Sequence, residues 1–247
     1  MRATLEETLR LLAGQLHLFT LLSLTVWLPT HVFLNYLEFF AREEASPVRS
    51  LHVGLLVQMV FDPLVVSAAL VALARIKQGL PVAYWPVLGE GARAWSRLLF
   101  VRLIVTTAVL LPAAAGSALA RSGRGGLAAG ALLLVLLTVM LLVRFAVVDS
   151  VVVLEGRTVL TCWRRAAELT SGRRWTVLWT AALLFGLVSS VAVLAALAFK
   201  AAPELNHFVV RVLFDCMLSV GQSLFTIALF LIYWRARPDR PGPALAV

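Results

Sequence analysis

Six stretches of mostly apolar residues recur along the chain, at about 15–37, 51–73, 98–119, 127–148, 176–199 and 208–233. A bilayer hydrocarbon core about 30 Å thick takes roughly 20 apolar residues per helix, so each stretch is long enough to cross once. In lipid every backbone N–H and C=O must be paired within the protein, and an isolated run can do that only as a helix. The sequence therefore predicts an all-α integral membrane protein with six transmembrane helices in a single domain over residues 1–247. Composition agrees: 61% of residues are apolar and 14% charged, against about 45–50% and about 25% in soluble domains. The two longest connections, about 20 residues each, are too short for an independent soluble domain. Any chemistry must then use membrane or interface residues. The first run is too long for a signal-peptide core, Glu6 and Glu7 interrupt a basic leader, and no small-residue cleavage site follows it, so it is expected to stay as a helix.

The formal charge is +9, and its distribution matters more than its size. Fifteen Lys and Arg fall on one side of the expected spans and six on the other, leaving Arg144 inside a span. By the positive-inside rule both termini belong in the cytoplasm, in a bacterial inner membrane. Such a surface attracts anionic lipid headgroups at the cytoplasmic face, at about 1 kcal/mol per basic side chain. No base-stacking or groove-reading module accompanies the charge, which argues against nucleic acid as a partner.

Two cytoplasmic connections carry helical patterns. In 156–171, GRTVLTCWRRAAELTS, the residues Arg157, Arg164, Arg165 and Glu168 share a face opposite Trp163. This predicts an amphipathic helix lying in the headgroup plane. In 79–100, Leu88, Ala92, Trp95 and Leu99 recur at helical spacing with Arg93 and Arg97 on another face. Trp95 with Arg97, and Trp175 with Arg173 and Arg174, mark the approaches to the next spans and serve as candidate interfacial anchors. Trp95 and Trp175 lie 80 residues apart, suggesting a parallel repeat of span, interfacial helix and span, with units 51–119 and 127–199. Convergent interface chemistry explains the same match.

Charges inside the spans are the candidate functional residues. Asp62 lies near mid-depth in the second span and is followed by Pro63. An ionised Asp there costs about 2.5–3.5 kcal/mol, so it needs a partner, water or a proton. Arg144 is the expected partner, because its side chain leans toward the membrane centre, whereas Arg102 leans back toward cytoplasmic headgroups. Asp62, Arg144 and Asp149 thus form a candidate polar network, either a packed ion pair or the lining of a solvated path. Glu155-Gly156 should turn the chain into the interfacial helix, with Glu155 capping it or pairing with Arg157, Arg173 or Arg174. Arg211 and Asp215 are expected to bridge locally at i, i+4. The four histidines are scattered, and Cys162 and Cys216 are expected to be held apart. No HExxH, G-x-S-x-G or GxxxxGK pattern is present, so no metal, cofactor or catalytic set is expected.

Residues 144–184 also carry a resemblance. An Arg in a span (Arg144) is followed by an apolar run ending in Glu155-Gly156. A helix bearing Ala166 comes next, then Leu169, Gly172 and Trp175 leading into the next span. This pattern resembles the final block of the membrane domain attached to some bacterial glycerophosphodiester phosphodiesterases, and of related YciC-like multispan proteins of unknown function. It covers about 40 residues, with the six-span layout agreeing over the chain. The match departs at Asp149-Ser150, where family members often have Pro, and at Ala167, where they often have Ser. The phosphodiesterase catalytic domain is absent from this sequence, so the resemblance implies a membrane fold and not that activity. Two functions are compatible with these features. One is a non-enzymatic module that binds, moves or organises lipid or another amphipathic molecule, or scaffolds a protein partner. The other is an intramembrane enzyme acting on lipid headgroups with Asp62, Asp149 or Glu155 as acid or base.

Overall fold

The computed structural model describes residues 2–40, 47–121, 125–157, 159–202, 204 and 206–237. Nine α-helices lie among them: α1 Arg2–Gly14, α2 Leu16–Phe40, α3 Pro47–Lys77, α4 Tyr84–Arg121, α5 Gly125–Phe145, α6 Val148–Glu155, α7 Val159–Thr170, α8 Arg174–Ala201 and α9 Phe208–Ala236. Six segments are long and apolar enough to cross a membrane: Leu16–Phe40, Val53–Lys77, Tyr84–Ala118, Gly130–Glu155, Arg174–Ala201 and Phe208–Ala236. These overlap the six expected runs.

Three elements differ from the sequence pattern. The N-terminal residues form a helix of their own, α1, which packs on α9. The helix expected over 88–99 is no separate element, because α4 continues through it into the span. Pro86 does not stop α4, since it lies in the first turn, where a backbone N–H would lack a helical partner anyway. The fourth run, by contrast, is broken. It stops at Phe145 and resumes at Val148 as α6, and the hydroxyl of Thr170 donates to the Arg144 carbonyl at that break (3.4 Å).

α6 is the centre of the main core. Val148, Ser150, Val151, Val152, Val153 and Leu154 are all buried. Five consecutive buried residues leave no exposed helical face, the mark of a helix enclosed on all sides. Its neighbours are α3, α4, α7 and α9. Phe19 and Leu22 of α2, Leu70 and Leu73 of α3, Leu98 and Val101 of α4, and Phe230 and Tyr233 of α9 complete the cluster. Gly156, at φ 62°, then turns the chain out of α6 as the sequence suggested, in a left-handed conformation that only glycine adopts cheaply.

α3 and α4 approach closely because small residues line their contact. A Cβ on Gly91 would sit 2.7 Å from the Ala68 backbone, and the Ser67 hydroxyl donates to the Gly91 carbonyl at 2.8 Å. Between apolar helices in lipid, such van der Waals contact and interhelical hydrogen bonds replace hydrophobic burial as the force for association.

The core lies toward one end of the bundle, where α1, α6, α7 and the last turns of α3 and α9 meet. We call this the basic end. Elsewhere the packing thins. From 185 to 201 α8 has no buried residue, and in α5 from 130 to 145 only Ala131 is buried.

Candidate functional site: two ion-pair clusters and an apolar groove

Arg102 joins three helices. Its guanidinium donates to Asp62 of α3, and to one oxygen of Asp149 in the first turn of α6 through Nε (3.1 Å) and Nη2 (2.5 Å). The cluster has a formal charge of −1, and its side chains are about a quarter exposed. The expected network of Asp62, Arg144 and Asp149 is corrected here: both carboxylates are held by Arg102, and Arg144 is exposed. The reason is helix neighbourhood. α3 packs directly on α4, which carries Arg102, whereas Arg144 ends α5 and faces α8. Arg102, expected to reach headgroups, instead pairs with Asp149 in the first turn of α6, just after the break. A readable signal existed. Asp62 lies 15 residues before the end of α3 and Arg102 lies 18 after the start of α4. At 1.5 Å per residue those are about 22 and 27 Å from the short link between them, nearly level.

Glu155 organises the second cluster. It is only 8% exposed, and its carboxylate accepts from Arg157 Nε (2.7 Å) and Tyr233 Oη (3.1 Å), with Arg165 Nε at 3.6 Å. Arg97 donates to the Gly156 carbonyl at 3.2 Å. Helices α4, α6, α7 and α9 therefore converge on one turn. Of the partners expected for Glu155, Arg157 is present and Arg165 takes the place assigned to Arg173 or Arg174.

The expected anchors separate into different roles. Trp95 donates its indole N–H to the Val60 carbonyl (2.7 Å), near the turn disturbed by Pro63. Trp163 packs against Phe145, with ring centroids 5.7 Å apart. Arg164 is solvent-exposed and lies 3.7 Å from Glu168. Arg173 is exposed just before α8.

Arg144, Arg174 and Trp175 line a groove between α5 and α8. Its volume is about 330 Å³, and its remaining walls are Leu137, Val139, Met140, Leu141, Val143 and Leu178. Apolar walls with a basic mouth make an amphipathic cavity. Several cations near the basic end are matched by a carboxylate: Arg75 by Glu90, Lys77 and Arg235 by Glu7, Arg102 by two Asp, Arg157 and Arg165 by Glu155, and Arg164 by Glu168. Among the described residues neither Arg144 nor Arg174 has such a partner.

Two further polar features were not foreseen. At the basic end Glu7 binds Lys77 and Arg235, and Arg235 also donates to Thr4 Oγ1 (2.7 Å). Burial alone would raise the Glu7 carboxyl, but the hydrogen bonds and charges of Lys77 and Arg235 outweigh it and hold the group below the usual carboxylate range. Along α2 and α9, His31 Nε2 meets Ser219 Oγ at 2.8 Å, Asn35 donates to Asp215 at 2.9 Å, and Ser23 and Ser223 lie 3.4 Å apart. The four-residue spacing of Asp215, Ser219 and Ser223, and of His31 and Asn35, was the available signal. Asp215 thus takes Asn35, and Arg211 lies over the Phe199 ring at 5.4 Å instead of forming the expected local bridge.

Both cysteines are free and buried. Burial is the largest influence on the Cys162 thiol and pushes it up to about 11, so it stays protonated at neutral pH. Among the described residues no three His, Cys, Asp or Glu side chains converge as a metal site. No family model, curated protein or solved structure matches the chain.

Proposed function

We propose that this chain is a non-enzymatic membrane module that holds, moves or organises lipid or another amphipathic molecule. The observation that carries this reading is the α5–α8 groove, whose apolar walls end at two arginines without carboxylate partners. The carboxylates that an enzyme would need argue the same way. Asp62 and Asp149 share Arg102, and Glu155 is held by Arg157, Arg165 and Tyr233. In this reading these carboxylates serve as ion pairs that hold the helices together.

In this reading residues 1–247 form one six-span domain in a bacterial inner membrane, with the basic end in the cytoplasm. Helix α7 lies in the headgroup plane with Trp163 and its neighbouring arginines, and the exposed Trp85 marks the same level at the start of α4. A parallel repeat of 51–119 and 127–199 rests on Trp95 and Trp175 alone, for α3 leads straight into α4 while α6 and α7 intervene between α5 and α8. Anionic headgroups are the preferred cytoplasmic partners, and a protein partner on the exposed face of α7 is compatible with the same placement.

Purification from native membrane, followed by mass spectrometry of the intact protein and its extracted lipids, tests the reading. A stoichiometric lipid or amphiphile that persists through detergent exchange is expected. A protein free of such molecules would contradict it.

A further inference from the structure

The lipid-holding reading does not say which headgroup the groove prefers. We infer that the α5–α8 groove is a site for one anionic glycerophospholipid, with its phosphate between Arg144 and Arg174 and an acyl chain against Leu137, Met140 and Leu178; this rests on the proposed function.

Four observations converge on that occupant. The groove is of ligand size, near the lower end of the usual range of about 300–1,000 Å³. From Leu137 to Arg144 its α5 wall climbs seven residues, or about 10 Å, so a polar group at the mouth and a chain along the wall fit one molecule. Arg144 comes from the last turn of α5 and Arg174 from the first turn of α8, which places two guanidiniums at the same mouth. Finally, α8 begins there without a side-chain cap and without an acidic residue in its first turn. The backbone N–H groups of a helix start favour an anion, and here nothing in the first turn supplies one.

The apolar wall decides between the sources of phosphate. A free phosphate would use the mouth and leave the wall bare, whereas a phospholipid uses both. Basic pockets between membrane helices at the cytoplasmic side suit anionic headgroups for the same reason. Zwitterionic lipids carry their own cation beside the phosphate, which competes with the two arginines.

Native mass spectrometry of the full chain decides the point, with dioleoyl phosphatidylglycerol and dioleoyl phosphatidylcholine titrated separately. Two arginines at the surface predict a preference of about 30-fold for phosphatidylglycerol. Arg144→Gln with Arg174→Gln should abolish the preference, while Arg121→Gln with Lys200→Gln, an equal loss of charge at the opposite end, should keep it. Met140→Trp, on the exposed groove wall, should weaken both lipids alike. Excess inorganic phosphate should leave the lipid in place. Equal binding of the two lipids by the unaltered chain, still weakened by Met140→Trp, would overturn the headgroup inference and leave the lipid-holding function standing. Loss of preference in the control pair would reduce it to diffuse charge, and displacement by phosphate would make it a free-anion site. Failure to retain either lipid would remove the function along with the inference.

Discussion

α6 and α8 mark the two extremes of this molecule. α6 has eight residues, six of them buried, with an ion-paired carboxylate at each end. α8 has 28 residues and buries only Val177, Thr180 and Leu184, all in its first half. Both are apolar, so hydrophobicity alone does not determine which is enclosed. What separates them is polar anchoring. Asp149 and Glu155 tie α6 to α4, α7 and α9, whereas the first turn of α8 carries two exposed groups, Arg174 and Trp175, with nothing of opposite charge to meet them. One region is enclosed by its neighbours, and in the proposed function the other accepts a molecule from the membrane.

The sharpest way to break that comparison is to remove Arg102. Arg102→Gln leaves Asp62 and Asp149 unpaired and should cost about 3–5 kcal/mol, read as a lowered thermal midpoint in detergent. In a double-mutant cycle Asp62→Asn and Arg102→Gln should couple by about 0.5–3 kcal/mol, while Asp62→Asn and Arg144→Gln should add within about 0.5 kcal/mol. Coupling to Arg144 in place of Arg102 would restore the pairing that the sequence suggests.

Gly91→Ala comes next. Its new Cβ would meet the Ala68 backbone, which cannot rotate away as a side chain can. A loss of about 1–3 kcal/mol is expected, typical of overpacking, and the same substitution at Gly186 of α8, where nothing lies within 4 Å, should be tolerated.

Acidity probes the packed end more gently. The Glu7 carboxyl titrates lower in the folded chain than in the unfolded one, so its contribution is fully present above the ordinary carboxylate value and is lost as pH falls through the lowered one. Because the pair is partly exposed, the effect should stay below about 1 kcal/mol. Limited proteolysis should find α1 released more readily at acid pH, and Glu7→Gln should release it at neutral pH as well. The smallest effect belongs to α8: Leu194→Ala, on a helix stretch with no buried residue, should change the thermal midpoint by no more than about 0.5 kcal/mol equivalent.

The six spans were legible because length and hydropathy are local properties of the chain. The pairing of Asp62 was not, because it depends on which helix lies beside α3. The direction of its helix sends Arg102 toward headgroups, yet the short α3–α4 link makes α4 the neighbour of α3. The break at Ala146-Val147 left no trace, since neither Gly nor Pro marks it. Without that break Asp149 reads as a boundary residue and α6 as the tail of a span. Glu155-Gly156 was legible for the opposite reason: a glycine following an apolar run is a local signal for a helix end. Arg144, expected as the partner of Asp62, instead lines the groove between α5 and α8.

In the proposed function the molecule has an enclosed end and a lipid-accepting face, and a phospholipid with a photoreactive group on its acyl chain tests this most directly. After reconstitution, irradiation and peptide mapping by mass spectrometry, adducts are expected on residues 137–144 of α5 and 174–178 of α8. Residues 148–155 of α6 are expected to carry none. Adducts on α6 equal to those on α5 and α8 would contradict the division on which the proposed function rests.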